Sequence, residues 1–273
     1  MATHAALSPS RTKDFKQCPL LFRFRSVDRL SQPPTKEQLR GTIVHSVLEH
    51  LFDYSPQERT PETAHALLPT RWNSHVEAHP DVIEIFTSEN ELAEWMDSAG
   101  SLLDNYFHME NPQFLQPVAR ERFVNARLTS GLAIRGIVDR LDATPTGEQR
   151  VVDYKTGKSP AARFQDEALF QMRFYALALK LATGTMPIRT QLVYLKDGRT
   201  LTYDPTPEDL PRLAEDLNNT WELIEKRLDS GDFEPHTSRL CDWCYFKRIC
   251  PAWGGTPPDI SADGVEYMRT AKA

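Results

Sequence analysis

The chain has 273 residues, a formal net charge of −6, and 40% apolar and 26% charged residues. That is enough apolar material for one large core or two small ones. No apolar run reaches the ~18 residues of a membrane span. The start MATHAALSPSR lacks the basic and apolar regions of a secretory leader, so the expected setting is cytoplasmic with no membrane partner. In that reducing compartment Cys18, Cys241, Cys244 and Cys250 are expected to be free, catalytic or metal-bound rather than paired as disulfides.

In chain order, Ser8 and Ser10 precede a periodic stretch through Phe15, Leu20, Leu21 and Phe24, read as a capped helix interrupted near Pro19. Residues 11–40 hold eight Lys and Arg residues, from Arg11 to Arg40, against Asp14, Asp28 and Glu37, with Phe15, Phe22 and Phe24 interleaved. This is a candidate basic patch for phosphates, or else a solvated basic face. Residues 36–53 form a helix with an apolar stripe of Leu39, Ile43, Val47, Leu48 and Leu51. Residues 54–115 read as a helical insertion with breaks near Pro69 and Pro80.

Strands follow at 117–127 and 132–142, joined by a Ser130-Gly131 turn, and at 150–155 after Gly147. A helix over 165–182, a strand over 188–196 and an Asp197-Gly198 hairpin into 199–203 come next. A helix over 207–229 leads into the cysteine-rich segment from about residue 239.

Four groups of residues carry chemistry. In VVDYKTGK (151–158), Asp153 and Lys155 are two apart on a strand and share a face. A carboxylate there can hold Mg²⁺ or Mn²⁺, and the ammonium can position a water or meet charge building on a phosphate. Antiparallel pairing across the Gly147 turn places Asp139 beside Asp153. Two such carboxylates repel unless a cation lies between them; the competing reading pairs Asp139 with Arg135 or Arg140. Asp142 is a rival ligand, read as a turn residue. His45 shares a helix face with Glu49 and is a third candidate ligand, whereas His50 points elsewhere. Gln171 and Tyr175, four apart on one helix, can hydrogen-bond a phosphate, a nucleic-acid backbone or a metal-bound water. The cysteines, one distant and three close as C-x-x-C-x-x-x-x-x-C, suit tetrahedral zinc or a [4Fe–4S] cluster; spacing alone does not separate the two.

Taken together these motifs resemble the PD-(D/E)XK nuclease superfamily, in its RecB-like branch, among members with a four-cysteine iron–sulfur cluster. GTIVHSVLE, GIVDRLD, VVDYKTGK, QMRFY, and QCPLLFRF with CDWCYFKRIC match in order over residues 8–251. The resemblance implies an α/β (α+β) restriction-endonuclease-like core: a central mixed sheet flanked by helices, with an iron–sulfur staple joining the two ends of the chain. It implies one domain over 1–273, with 54–115 as the insertion and 8–30 plus 239–255 as cluster-binding segments. By the same resemblance His45, Asp139, Asp153 and the Tyr154 carbonyl would bind Mg²⁺ or Mn²⁺. Lys155 would be the catalytic lysine, and Gln171 and Tyr175 would orient the site. Glu121 falls at a position often acidic in this branch. Arg11, Arg23, Lys247 and Arg248 would gather near the cluster as a DNA path.

The expected activity is metal-dependent hydrolysis of DNA, on single strands or free ends, in repair or recombination, with a helicase as a candidate partner. Two alternatives keep parts of this picture: a DNA-binding accessory subunit of a helicase–nuclease complex, and a zinc-stapled RNA-processing protein.

Overall fold

The computed structural model describes residues 4–272. Helix α1 (Pro9–Gln17) starts where the Ser8 hydroxyl accepts the Arg11 amide, with Pro9 in the first turn. It stops at Cys18 because Pro19 cannot continue the ladder. A short α2 (Pro19–Phe22) runs into a wide helical turn over Arg23–Val27. Helix α3 (Lys36–Leu51) opens on a reciprocal capping box between Thr35 and Gln38. Helices α4 (Pro61–Ala78) and α5 (Glu89–Met109) pack on α3 through Trp72, Trp95, Leu103 and Tyr106. Pro69 does not break α4. Pro69 and His65, four residues earlier, are both exposed, so water can satisfy the carbonyl that loses its partner.

Strands β1 (Pro117–Arg127), β2 (Ala133–Ala143) and β3 (Gln149–Lys155) form an antiparallel meander. Helix α6 (Asp166–Thr183) then crosses over, and β4 (Arg189–Tyr194) lies parallel to β3. A hairpin adds β5 (Arg199–Tyr203), giving one mixed sheet in the order β1-β2-β3-β4-β5. Helix α7 (Asp209–Ser230) follows, and α8 (Ala262–Arg269) lies in a tail whose sequence carries no recognised motif. Gly264 in α8 sits against the Val27 carbonyl, where an added Cβ would come within 2.0 Å. That close approach is the physical signal in an otherwise silent stretch.

Helices cover both faces of the sheet. On one, Val124, Val138, Leu141 and Val151 pack against α6, α7 and the α1–α2 segment. On the other, Val152, Tyr154, Val193 and Leu195 pack against α3 and α5. Leu7 and Ala271 clasp the free edge of β2: Leu7 N donates to Ala133 O at 2.9 Å, and Ala133 N donates to Ala271 O at 2.7 Å. Among the described residues, no helix is long and apolar enough to cross a membrane.

Two expectations about charge fail. Asp142 is not a turn residue but lies within β2, where Arg140 and Arg150 both hold it. The basic run over 11–40 does not form a free face. Lys13 pairs with Glu167, Lys16 with Asp216, Arg25 with Asp14 and Lys36 with Glu91. Arg23 is buried against Asp28 and the Pro258 carbonyl, which also removes it from the expected path beside the cysteines. Lys247 is likewise tied to Asp242. Asp14 and Asp28 neutralise it from within, and Glu167, Asp216 and Glu91, distant in sequence, supply what a local charge count does not see.

Arg140 is 1% exposed and is the fold's main internal charge. It donates to both oxygens of Glu110 at 2.7 and 2.9 Å, to Asp142 at 3.0 and 3.1 Å, and to the Tyr154 hydroxyl. Removing one side of such a buried network strands the other charges. We expect Arg140→Ala to lower the unfolding free energy by about 3–5 kcal/mol in urea titration; a loss below about 1 kcal/mol would mean that Glu110 and Asp142 rehydrate in place.

Candidate active site and metal centre

The register of the meander builds the site. Around the first turn Arg120 faces Arg140 and Arg122 faces Val138, which puts Glu121 opposite Asp139. Around the second turn Arg140 faces Val152, so the next step along brings Asp139 level with Asp153. Three carboxylates thus form one row across three strands. Like charges opposite one another destabilise a sheet, and the row is further marked by backbone strain. Glu121 has φ 43°, a left-handed conformation that costs a non-glycine residue of order 1–3 kcal/mol.

Helix α3 supplies His45. Its Nδ1 lies 3.4 Å from Asp139 Oδ2, and its ring meets the Tyr154 ring edge-on at 6.1 Å. The same Asp139 oxygen accepts the Tyr154 amide at 2.7 Å. In an extended strand the carbonyl of a residue leaves on the same side as its amide, so Tyr154 turns both main-chain groups toward β2. His50, by contrast, bonds Ser46 and Arg71 away from this point. Arg140 is occupied by Glu110 and Asp142, which leaves Asp139 to His45 rather than to an arginine.

Helix α6 supplies the other side. Asp153 is 3% exposed. Its Oδ1 accepts Gln171 Nε2 and the Tyr175 hydroxyl, each at 2.9 Å, and Gln171 also donates to Tyr175 at 3.0 Å. Its Oδ2 faces Lys155 Nζ at 2.6 Å but receives no well-directed hydrogen bond. Gly136 makes room for this arrangement: a Cβ there would meet the Tyr175 ring at 3.1 Å.

The candidate ligand atoms of His45, Glu121 and Asp139 all lie within 4.8 Å of one another, the one such group among the described residues. An imidazole, two carboxylates and the under-used Asp153 oxygen suit a divalent cation bound through oxygen and nitrogen. Of the expected set, His45 and Asp139 are brought within ligand distance of each other; the third member of that triad is Glu121, and Asp153 lies beside it on the next strand. The Ser130-Gly131 turn alone does not give this pairing: as a two-residue turn it would set residue 121 opposite 140, whereas the observed register is centred on Ser130, with the Leu128 amide bonded to the Leu132 carbonyl.

The electrostatics agree. Burial, with the charges of Asp139, Glu49 and Asp153, pushes the Glu121 carboxyl up to about 7. Burial and Asp139 likewise raise Asp153 against the opposing pull of Lys155. Burial alone would lower His45, but its bond to Asp139 and the charges of Asp139 and Asp153 outweigh that, and its pKa rises. Tyr175, raised well above its usual value by burial and by Asp153, stays a protonated donor.

Elsewhere Cys18, Cys241, Cys244 and Cys250 line one pocket. The sulfur of Cys18 accepts the His236 amide and that of Cys241 accepts the Ser238 amide, each at 3.3 Å. Burial first, and then the Cys18 and Cys241 thiols, push Cys244 up. No three of these sulfurs come within 4.8 Å of one another.

Because the Glu121 carboxyl binds its proton more tightly in the folded chain, its contribution to stability is complete below the ordinary carboxylate range. It is lost as pH rises through about 7. A divalent ion competes with that proton. We expect the melting temperature of metal-free protein to fall between pH 5 and 8, and the rise produced by Mn²⁺ to grow over the same interval. Glu121→Gln should flatten both trends. Metal stabilisation equal at pH 5.5 and pH 8 would separate Glu121 from the ligand set.

The chain is similar to phage proteins. It is 32% identical to the "Gene 69 protein" of Mycobacterium phage L5 over 126 residues, 45% of this chain and less than half (41%) of that protein. It is 23% identical to the "Gene 69 protein" of Mycobacterium phage D29 over 272 residues, 90% of this chain and 96% of that protein. Its fold is similar to the crystal structure of a "Putative exonuclease" from Eubacterium rectale, with a TM-score of 0.58 at 16% identity over 89% of this chain and 88% of that one. A family model described as the PD-(D/E)XK nuclease superfamily matches residues 6–251, which include every residue of the carboxylate row, His45, the α6 pair and all four cysteines. The chain belongs to the PD-(D/E)XK nuclease superfamily.

Proposed function

We propose that this protein is a Mg²⁺- or Mn²⁺-dependent deoxyribonuclease that hydrolyses phosphodiester bonds in single-stranded DNA or at DNA ends, in cytoplasmic repair or recombination. The observation that carries this reading is the convergence of α3, the three-strand meander and α6 on one point. His45, Glu121, Asp139 and Asp153 would hold the ion there, with the Tyr154 carbonyl as a further oxygen ligand. A bound ion supplies Lewis-acid activation of a water and of the scissile phosphate.

The chain's own groups do the remaining work. Lys155, anchored 2.6 Å from Asp153, presents an ammonium that positions the attacking water and meets the charge developing on the phosphate. Gln171 and Tyr175 fix the Asp153 carboxylate so that Oδ2 stays turned toward the reacting centre. His45 bridges α3 to Asp139 and holds the helix against the strands.

The same reading places the protein in the RecB-like branch, with a [4Fe–4S] cluster on the four cysteines. Its support is the common pocket and the two amide-to-sulfur bonds. Tetrahedral zinc, with bonds of about 2.3 Å, would draw its thiolates to about 3.8 Å from one another. A cluster carries each thiolate on a separate iron and spreads them further, which accords with sulfurs that do not converge. The staple would be structural, tying α1 to the segment after α7.

The test is cleavage of end-labelled single- and double-stranded DNA with Mn²⁺ or Mg²⁺, using protein prepared without oxygen. Lys155→Ala and Asp139→Ala should each abolish cleavage with an unchanged circular-dichroism spectrum; cleavage retained in either would sink these assignments. An inactive wild type would instead favour the accessory-subunit reading. Cys250→Ala should lose the visible absorbance of the wild type and melt at lower temperature. A colourless wild type containing zinc would replace the cluster by a zinc staple.

A further inference from the structure

Beside the carboxylate row lies an apolar pair that neither the fold nor the hydrolytic chemistry uses. Phe123 on β1 and Ile137 on β2 are direct cross-strand partners, each two residues from a member of the row, Glu121 and Asp139. Two residues along a strand is about 7 Å. Phe123 is 70% exposed and Ile137 39%, while the next β1 residue, Val124, is buried in the core. A phenyl ring left this open forgoes the burial that normally stabilises an aromatic side chain.

Both side chains line the groove that also contains Asp139, Asp153 and Lys155, so the platform and the candidate centre are continuous. Arg135 lines the same groove one cross-strand step further. Its guanidinium has no ion-pair partner among the described residues, and it stands near Arg11, whose proton affinity is lowered first by burial and then by the Arg135 charge. An uncompensated cation beside an open aromatic ring, next to a metal-ligand cluster, fits a nucleotide: a base over the ring and a phosphate on the arginine.

We infer that Phe123, backed by Ile137, is the stacking platform for an unpaired base next to the scissile phosphate, with Arg135 receiving a flanking phosphate. The position of the scissile phosphate rests on the nuclease reading above. The platform makes the substrate a strand whose bases are free to leave the stack, because a base held in a duplex cannot offer its face to the ring. Phe123 is then a positioning residue that acts on binding and register, not on the hydrolysis itself.

The experiment separates binding from turnover. Single-stranded oligonucleotides carrying one 2-aminopurine, walked along the sequence, are titrated with the full chain in Ca²⁺, and the fluorescence change on stacking is read. Wild type should show one position of strong change. Phe123→Ala should abolish the change there and weaken binding roughly tenfold, while Phe123→Trp should retain both. Arg135→Gln should weaken binding and lower its salt dependence without moving the position. In Mn²⁺, Phe123→Ala should raise KM on single strands with kcat little altered. Equal binding and an unchanged fluorescence profile in Phe123→Ala would overturn the inference. So would a change of wild type from dimer to monomer in that variant without any effect on DNA, which would assign the pair to self-association. Loss of cleavage in wild type with the Phe123-dependent signal intact would remove the nuclease reading and leave the platform standing.

Discussion

Mutual repulsion among Glu121, Asp139 and Asp153 governs this molecule. Antiparallel pairing sets three acidic side chains at one level of the sheet, where burial makes the negative charge of Glu121 and Asp153 costly. The surrounding structure makes the row tolerable. Lys155 faces one oxygen of Asp153, two donors from α6 hold the other, and His45 with the Tyr154 amide takes up Asp139. None of these fully neutralises the row, and the remaining deficit of positive charge is what a divalent cation would fill. The strained backbone at Glu121 belongs to the same pattern, since strain concentrates where a site dictates geometry against local preference.

The second charge cluster makes the first one workable. Arg140 follows Asp139 directly in sequence and would be its natural neutralising partner. The strand turns it instead toward Glu110, Asp142 and the Tyr154 hydroxyl. A neutralised Asp139 would make a poor ligand. The two faces of the sheet thus separate two uses of charge, one internally satisfied and one left open to the groove. Helices α3 and α6 each contribute to the open one from opposite sides, so the centre sits where both cores meet the end of the meander.

Much of this was legible before any coordinates. The Gly147 turn signals a reversal that brings Asp139 near Asp153, whereas the 121–139 neighbours depend on a register centred on Ser130 that the Ser130-Gly131 signal misses by one residue. The apolar stripe of α3 and the spacing of Gln171 and Tyr175 place the helical contributions. What stayed hidden depends on partners distant in sequence. The basic run near the start looks available until Glu167, Asp216 and Glu91 are seen to neutralise it. Asp142 looks like a turn residue until Arg150 is placed beside it. Pro69 looks like a helix break because a one-dimensional reading cannot tell that Pro69 and His65 lie on the exposed side of α4. Helix α8 leaves only the demand for a glycine at position 264.

The clasp on β2 bears on the order in which the protein is made. Leu7 and Ala271 both bond Ala133, so the free edge of the hairpin carrying Glu121 and Asp139 closes only with segments from far up and far down the chain. Contacts of such long sequence separation form late, because loop-closure entropy must be met before they contribute. During synthesis the strands and helices up to α7 can assemble while residue 271 is still missing. The hairpin edge then has its bonds to Leu7 but lacks the one to Ala271, and the acidic row rests on an unfinished support. Translation of the tail therefore acts as a timer: the nascent chain completes the clasp beside its acidic row only once residue 271 has emerged.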